Sequence, residues 1–156
     1  MQTLEGQYRS DVQIAIAVAR WNQLVTERLL AGALEALRRQ GISQEQVTVV
    51  WCPGSFELPL VVKTLAESHA YDGIIALGCV IRGETPHFDY VASQAASGIM
   101  QAMLETNTPC AFGVLTTDTL DQALERAGGK AGNKGAEAAL TVLEMVDVLS
   151  RLRQHQ

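Results

Sequence analysis

The chain has 156 residues, 47% of them apolar, and a formal net charge of −5 at pH 7. This length and apolar content suit one compact domain over residues 1–156 with a substantial buried core. The negative charge argues against a general nucleic-acid binder, because recognition of the phosphate backbone needs a concentrated excess of Lys and Arg.

Membrane insertion and metal binding are also disfavoured. No apolar stretch approaches the roughly 20 residues that span a bilayer, and the opening "MQTLEGQYRS" lacks the apolar core of a signal peptide, so we predict a cytoplasmic protein without a membrane partner. Cys52, Cys79 and Cys110 form no CxxC pair, which disfavours a disulfide framework and a zinc site. We interpret them as small buried residues near strand ends.

Short apolar segments alternate with amphipathic ones along the chain. Residues 12–19 are rich in β-branched residues and almost wholly apolar beyond Gln13, as in a parallel strand buried on both faces. The next segment is predicted as a helix that ends at Gly41. One face of this helix is formed by Leu30, Ala33, Leu34 and Leu37.

The same alternation continues to the end of the chain. Thr119 and Gln122 have the spacing of a capping box, which predicts the start of a short helix. The further strands are predicted at 47–52, 73–80 and 110–116, and the further helices at 57–68, 89–105, 119–127 and 136–153.

This alternation predicts βαβ units with right-handed crossovers, and therefore a three-layer α/β/α sandwich around a four-stranded parallel sheet. Ligands of such sheets bind outside the carboxyl ends of the strands. Four segments follow those ends: "RWN", "CPGSFE", "CVIRGETPH" and "TTDT".

These segments bring aromatic, acidic and titratable side chains to one edge. Trp21 and Phe56 with the Glu57 carboxylate suit a flat heterocycle, although both aromatic residues also fit a core position. His87 lies in a loop stiffened by Pro86, and it is the natural general acid or base; packing beside the following helix is the alternative.

The segment "ERAGGKAGNKGAE" places Arg126 and Lys134 among glycines directly before a helix. Free backbone N–H groups and guanidinium favour an anion. A flexible link with solvated charges fits the spacing equally well. The segment matches neither GxGxxG nor GxxxxGK[ST], so no ordinary nucleotide site is indicated.

Two predicted helices have more apolar or small side chains on their surfaces than packing against one sheet would bury. The last helix is apolar over most of its girth, and the helix at 89–105 is rich in Ala, Ser and Gly. Burial between the subunits of a cyclic homo-oligomer explains both features.

Four segments together resemble the 6,7-dimethyl-8-ribityllumazine synthase family: "PGSFELP", "GCVIRGETPHFDYVA", "FGVLTTDTLDQALERAG" and "KAGNKGAEAAL". The resemblance extends over about residues 12–149. It implies a flavodoxin-like fold and the condensation of 5-amino-6-(D-ribitylamino)uracil with 3,4-dihydroxy-2-butanone 4-phosphate, without a metal or organic cofactor.

The resemblance also implies roles for the residues at matching positions. Trp21 would stack on the pyrimidine, Ser55, Phe56 and Glu57 would line the pyrimidine and ribityl pocket, and Cys79, Val80 and Ile81 would bind the pyrimidine edge through their backbone. Glu84 and Thr85 would hold the phosphate with their backbone, and His87 would transfer protons. The neighbouring subunit would contribute Phe112 and Arg126, with Lys134 near the same site.

Family members of this kind form pentamers, and the short "GGKAGNKG" link favours twelve pentamers in a 60-subunit shell, with riboflavin synthase as a candidate cargo. Trp21 stands where phenylalanine is usual in the family, which predicts stronger stacking and riboflavin binding. Two rival interpretations are a flavin-binding or cage-forming protein without turnover and a monomeric flavodoxin-like signalling module.

Overall fold

The protein is described by a computed structural model over residues 1–155, so Gln156 of the predicted 1–156 domain lies outside the described residues. Its main sheet has four parallel strands, β1 (Ile14–Ala19), β2 (Val47–Cys52), β3 (Gly73–Ile81) and β4 (Cys110–Thr117). They lie in the order β2-β1-β3-β4, the strand order of flavodoxin-like sheets. The predicted four-stranded parallel sheet is therefore confirmed.

Helices cover both faces of this sheet, which confirms the three-layer sandwich. The helices are α1 (Gln23–Arg39), α2 (Leu58–Glu67), α3 (His87–Thr106), α4 (Leu120–Arg126) and α5 (Lys134–Gln154), with single 3-10 turns at Gln44–Gln46 and Ser55–Glu57. Helices α1 and α5, with the short α4, pack on one face of the sheet, and α2 and α3 pack on the other. Among the described residues no helix is long and apolar enough to cross a membrane.

Strand β1 forms the centre of both cores, and its residues alternate in size. Ile14, Ile16 and Val18 face α1 and α5. The alanines between them face α2 and α3, and all six residues are fully buried. Branched side chains fill one interface, whereas the alanines allow the helices of the other layer to approach closely.

The structure differs from the predicted elements in local details. Leu34 is 38% exposed, whereas Leu29 is fully buried, so the core-facing side of α1 is rotated from the predicted face. The "GGKAGNKG" segment, with Ala127 before it, forms a small antiparallel hairpin of β5 (Ala127–Gly129) and β6 (Gly132–Asn133). Backbone pairing orders this segment, and a flexible link is therefore the wrong description. Two helices also begin two residues before their predicted first residues, α3 at His87 and α5 at Lys134.

Candidate functional site

A cavity of about 350 Å³ opens at the carboxyl edge of the sheet. Strands β2 and β3 lie on opposite sides of β1, so the strand order reverses at this point. Such a switch point is where open α/β sheets bind ligands. The cavity is lined by Trp21, Asn22, Ser55, Phe56, Glu57, Cys79, Val80, Ile81, His87, Tyr90 and Val91.

The turn between β1 and α1 is fastened to both neighbouring strands. The backbone N–H groups of Arg20 and Trp21 donate to the carbonyls of Cys52 (2.7 Å) and Pro53 (2.9 Å). On the other side, Asn22 Nδ2 donates to the Cys79 carbonyl at 2.8 Å. Asn22 has φ 66 and ψ 42, a left-handed conformation that asparagine tolerates. This turn therefore holds Trp21 in a fixed place.

Two aromatic side chains form apolar walls that face solvent. Trp21 is 65% exposed and Phe56 is 56% exposed, so the alternative that they are core residues is wrong. A Cβ placed on Gly54 would overlap the Trp21 indole, which shows that the ring lies directly on this backbone. An ordered, open ring of this kind is suited to stacking on a flat ligand.

One oxygen of the Glu57 carboxylate accepts no hydrogen bond. Its Oε1 is inaccessible to solvent and has no hydrogen-bond partner among the described residues. Buried polar atoms are nearly always paired, so an unpaired oxygen on a side chain that lines a cavity favours rotation of the carboxylate toward a donor on a ligand there. Ser55, also buried, packs beside Gly78 below the same wall.

The two thiols near this cavity are not nucleophiles at neutral pH. Burial, reinforced by the negative charge of Glu57, raises the pKa of Cys52 to about 11. Burial alone raises the pKa of Cys79 to about 11. Both residues therefore stay protonated, and a reactive cysteine needs the thiolate. Within residues 1–155 no three His, Cys, Asp or Glu side chains are placed to hold a metal ion together.

The end of β3 exposes backbone groups to the cavity. Pairing with β1 ends at Leu77, whereas pairing with β4 continues to Ile81. The backbone groups of successive strand residues point to opposite sides. Cys79 points to the β1 side, where its carbonyl accepts from Asn22, and the Arg82 N–H points to the β4 side, where it donates to Thr117. By this alternation the N–H and C=O of Ile81 face the cavity, as a pair that can read the edge of a heterocycle.

His87 lies at the rim of the cavity as the first residue of α3, and its side chain is exposed. Arg82 fixes the start of this helix: its guanidinium lies 4.4 Å from the centre of the Phe88 ring, and its Nε is 2.9 Å from Asp118 Oδ1. Glu84 and Thr85 lie in the exposed loop before His87 and do not line the cavity.

A second cavity of about 320 Å³ holds the predicted cationic residues. Arg126 and Lys134 line it together with Thr116, Thr117 and Glu137. Phe112 lies in the edge strand β4 and is 39% exposed, outside both cavities. Within one chain, most of the predicted residues thus line either an aromatic cavity or a separate cationic cavity, and Glu84, Thr85 and Phe112 line neither.

Comparison with known proteins assigns this architecture to a family. The family described as 6,7-dimethyl-8-ribityllumazine synthase matches residues 11–150. The chain belongs to the 6,7-dimethyl-8-ribityllumazine synthase family. A lumazine synthase of Thermus thermophilus is 62% identical over 141 residues, 90% of each chain. The lumazine synthase of Edwardsiella ictaluri is 52% identical over 155 residues, 98% of this chain and 99% of the relative.

Membership in the lumazine synthase family confirms the resemblance and the enzyme assignment, and it contradicts the signalling-module interpretation. Sequence reasoning missed three residues of the cavity: Asn22, Tyr90 and Val91. Tyr90 and Val91 follow His87 by three and four residues, the spacing that places side chains on one helix face, so His87 itself was the signal for them. Asn22 had a weaker signal, an asparagine between a strand and a helix.

Proposed function

We infer that the chain condenses 5-amino-6-(D-ribitylamino)uracil with 3,4-dihydroxy-2-butanone 4-phosphate to 6,7-dimethyl-8-ribityllumazine, releasing phosphate and water, the penultimate step of riboflavin biosynthesis. The observation that carries this proposal is the aromatic cavity at the sheet's switch point. It combines stacking rings, an unpaired carboxylate oxygen, free backbone groups and a histidine.

The ribitylaminouracil occupies this aromatic cavity. Trp21 stacks on the pyrimidine, and the backbone at Cys79, Val80 and Ile81 binds its edge. Because the Cys79 carbonyl already accepts from Asn22, the edge contacts come mainly from Ile81. Ser55, Phe56 and Glu57 contact the ribityl chain, whose hydroxyl groups supply the donor that Glu57 Oε1 lacks.

His87 moves protons at the rim of this cavity. Imine formation between the amine and the ketone, loss of phosphate and closure of the second carbon–nitrogen bond each need a proton moved, and imidazole exchanges protons near neutral pH. Holding the two substrates in reacting geometry contributes as much as the proton transfers do or more. His87 is therefore an accelerating group and not an indispensable one.

The butanone phosphate is held at the junction of two subunits. Arg126 and Lys134 grip its phosphate, the backbone of Glu84 and Thr85 assists, and Phe112 covers the ring. The aromatic and cationic side chains line different cavities of one chain, which supports a site that a neighbour's cationic cavity completes. The Glu84 side chain is exposed, which supports a contact by its backbone only.

A homopentamer brings each aromatic cavity against a neighbouring cationic cavity. Three exposed apolar side chains on α3, Tyr90, Met100 and Leu104, support burial of this helix between subunits. The four-residue span from Gly129 to Gly132 keeps the β5–β6 hairpin short, which supports twelve pentamers in a 60-subunit shell. Riboflavin synthase is a candidate cargo of that shell.

The direct test mixes the purified protein with both substrates and follows lumazine absorbance and fluorescence. Product formation supports the enzyme. A folded oligomer that binds flavin without turnover favours the flavin-binding or cage interpretation instead.

Coexpression of Glu57→Ala and Arg126→Ala chains tests the shared site. Each variant alone is expected to be nearly inactive. In mixed assemblies, a site that joins an intact aromatic cavity to an intact neighbouring cationic cavity regains activity, at roughly a quarter of the sites for random mixing. Mixed assemblies as inactive as the separate variants would contradict a site completed by a neighbour.

A further inference from the structure

Asn133 links the cationic hairpin to helix α1 through both ends of its side-chain amide. Its Oδ1 accepts from the Ala136 N–H at 3.1 Å and so caps α5. Its Nδ2 donates to the Arg28 carbonyl of α1 at 3.0 Å, a contact between residues 105 positions apart. Only the first of these bonds is an ordinary helix cap; the second ties the hairpin to another element.

Two glycines make room for this contact. A Cβ on Gly32 would overlap the Asn133 carboxamide, and a Cβ on Gly135 would overlap the Leu29 carbonyl. Both glycines are helical, so they serve close approach and not an unusual backbone conformation. The half-buried amide therefore packs closely between α1 and the start of α5, and its two hydrogen bonds restrict its movement.

The register of the β5–β6 hairpin places the two cationic residues directly beside Asn133. Ala127 pairs with Asn133, so Arg126 and Lys134 leave the hairpin from its open end, next to each other. Both line the cationic cavity. Helix α1, to which Asn133 is bound, begins immediately after Trp21 and Asn22 of the aromatic cavity. The Asn133 amide thus connects the hairpin that carries Arg126 and Lys134 to the helix that begins at the aromatic cavity.

We propose that Asn133 is the positioning residue of the phosphate-binding pair: its hydrogen bond to Arg28 holds Arg126 and Lys134 at the separation that grips a phosphate. This proposal rests on the proposed function, which assigns the phosphate to these two side chains. Asn133 itself does not contact the substrate. Its contribution is to prevent the hairpin from shifting, so that both cations are in place before the phosphate arrives.

Asn133→Ser and Asn133→Ala separate the two hydrogen bonds. Serine retains the cap on α5 but is too short and lacks the amide donor for Arg28, whereas alanine loses both. We expect both variants to raise the KM for the butanone phosphate and the inhibition constant for inorganic phosphate about fivefold to tenfold, the value of one hydrogen bond. The KM for the ribitylaminouracil is expected to change less than about twofold.

Gly32→Ala tests the same contact from α1 with Asn133 intact, and it is expected to reproduce the selective rise in KM. Val62→Ala, a buried substitution in α2 on the opposite face of the sheet, is the control for general destabilisation. An Asn133→Ser enzyme with the wild-type KM for the butanone phosphate would overturn the proposal, because the cap alone would then suffice. Equal rises in both KM values would overturn it as well. Absence of turnover in the wild type contradicts the proposed function instead, and titration of the same variants with inorganic phosphate still tests Asn133.

Discussion

The indole of Trp21 lies directly on the α-carbon of Gly54, in the turn that follows the neighbouring strand β2. A side chain at this glycine would overlap the ring and would also lie 3.2 Å from Glu57 Oε1. Gly54 has φ −147 and ψ 178, an extended conformation open to any residue. Glycine is therefore needed here for space, because it allows the stacking ring to rest on backbone.

Gly54→Ala is expected to displace the Trp21 ring and raise the KM for the ribitylaminouracil about tenfold, with little effect on the KM for the butanone phosphate. Steady-state kinetics with each substrate varied in turn measures this difference. In a Trp21→Ala background the overlap with the indole disappears, so adding Gly54→Ala is expected to change the KM much less. Equal effects of Gly54→Ala in the two backgrounds would contradict this contact as the cause.

Trp21 also predicts riboflavin binding, since the larger indole offers more stacking surface than the phenylalanine usual at this position. Trp21 is 65% exposed at the cavity, whereas Trp51 is half-buried in β2. Riboflavin is expected to quench the fluorescence of Trp21, and Trp21→Phe is expected to bind flavin about threefold to tenfold more weakly. Trp51→Phe serves as the matched control and should retain the affinity. Undiminished affinity in Trp21→Phe would refute a special role of the indole.

The sheet was predictable from sequence because its strands are short apolar runs bounded by turn residues. Strands that are apolar on both faces are typical of a parallel sheet covered by helices on each side. The start of α4 was also predictable, although only half of the capping box is formed: Thr119 Oγ1 accepts from the Gln122 N–H at 3.1 Å, whereas Gln122 Oε1 accepts from the Asp118 N–H and not from that of Thr119. The aromatic cavity followed from a rule of topology that needs only the ends of the strands.

Contacts without a local pattern could not be predicted. The hydrogen bonds from Asn22 to Cys79 and from Asn133 to Arg28 join residues far apart in sequence, and the periodicity of the sequence does not indicate such pairs. The β5–β6 hairpin was missed because its strands have two or three residues, mostly glycine, and carry no apolar alternation. The core-facing side of α1 was misjudged because Leu34 lies beside the buried stripe Val25, Leu29, Ala33 and Leu37, and an apolar residue next to a stripe widens the apparent apolar face.

His87→Asn is expected to lower kcat about tenfold to a hundredfold while leaving both KM values within about threefold. The imidazole is exposed at the rim of the cavity, so asparagine fills its place without disturbing the core. His69→Asn is the matched control: His69 is exposed at the opposite edge of the sheet and has φ 55, a conformation that asparagine tolerates. Undetectable turnover in a folded His87→Asn enzyme that still binds both substrates would contradict an accelerating role.

Asp147 anchors the N-terminal segment to helix α5. Its carboxylate is 4% exposed, accepts from Arg151 Nε and from the Gln7 N–H, each at 2.7 Å, and lies 3.7 Å from the Arg9 guanidinium. The hydrogen bonds from Arg151 and Gln7 hold the pKa of this carboxyl below its ordinary value of 3.8. A lowered pKa means that the ionised form stabilises the fold above pH 3.8, and this contribution is lost as the pH falls through the lowered value.

Asp147→Asn is therefore expected to lower the free energy of unfolding by about 1 to 3 kcal/mol at pH 7, since hydrogen bonds to a charged group are replaced by weaker ones. The difference from the wild type should shrink as the pH falls through the lowered pKa of Asp147, because the wild-type carboxyl is then protonated too. Urea unfolding at fixed protein concentration measures both values. Asp11→Asn is the control, because Asp11 pairs with Arg9 but is 72% exposed. A difference for Asp147→Asn that does not change as the pH is lowered through the titration of the wild-type carboxyl would show that the amide perturbs packing and that ionisation is not the cause.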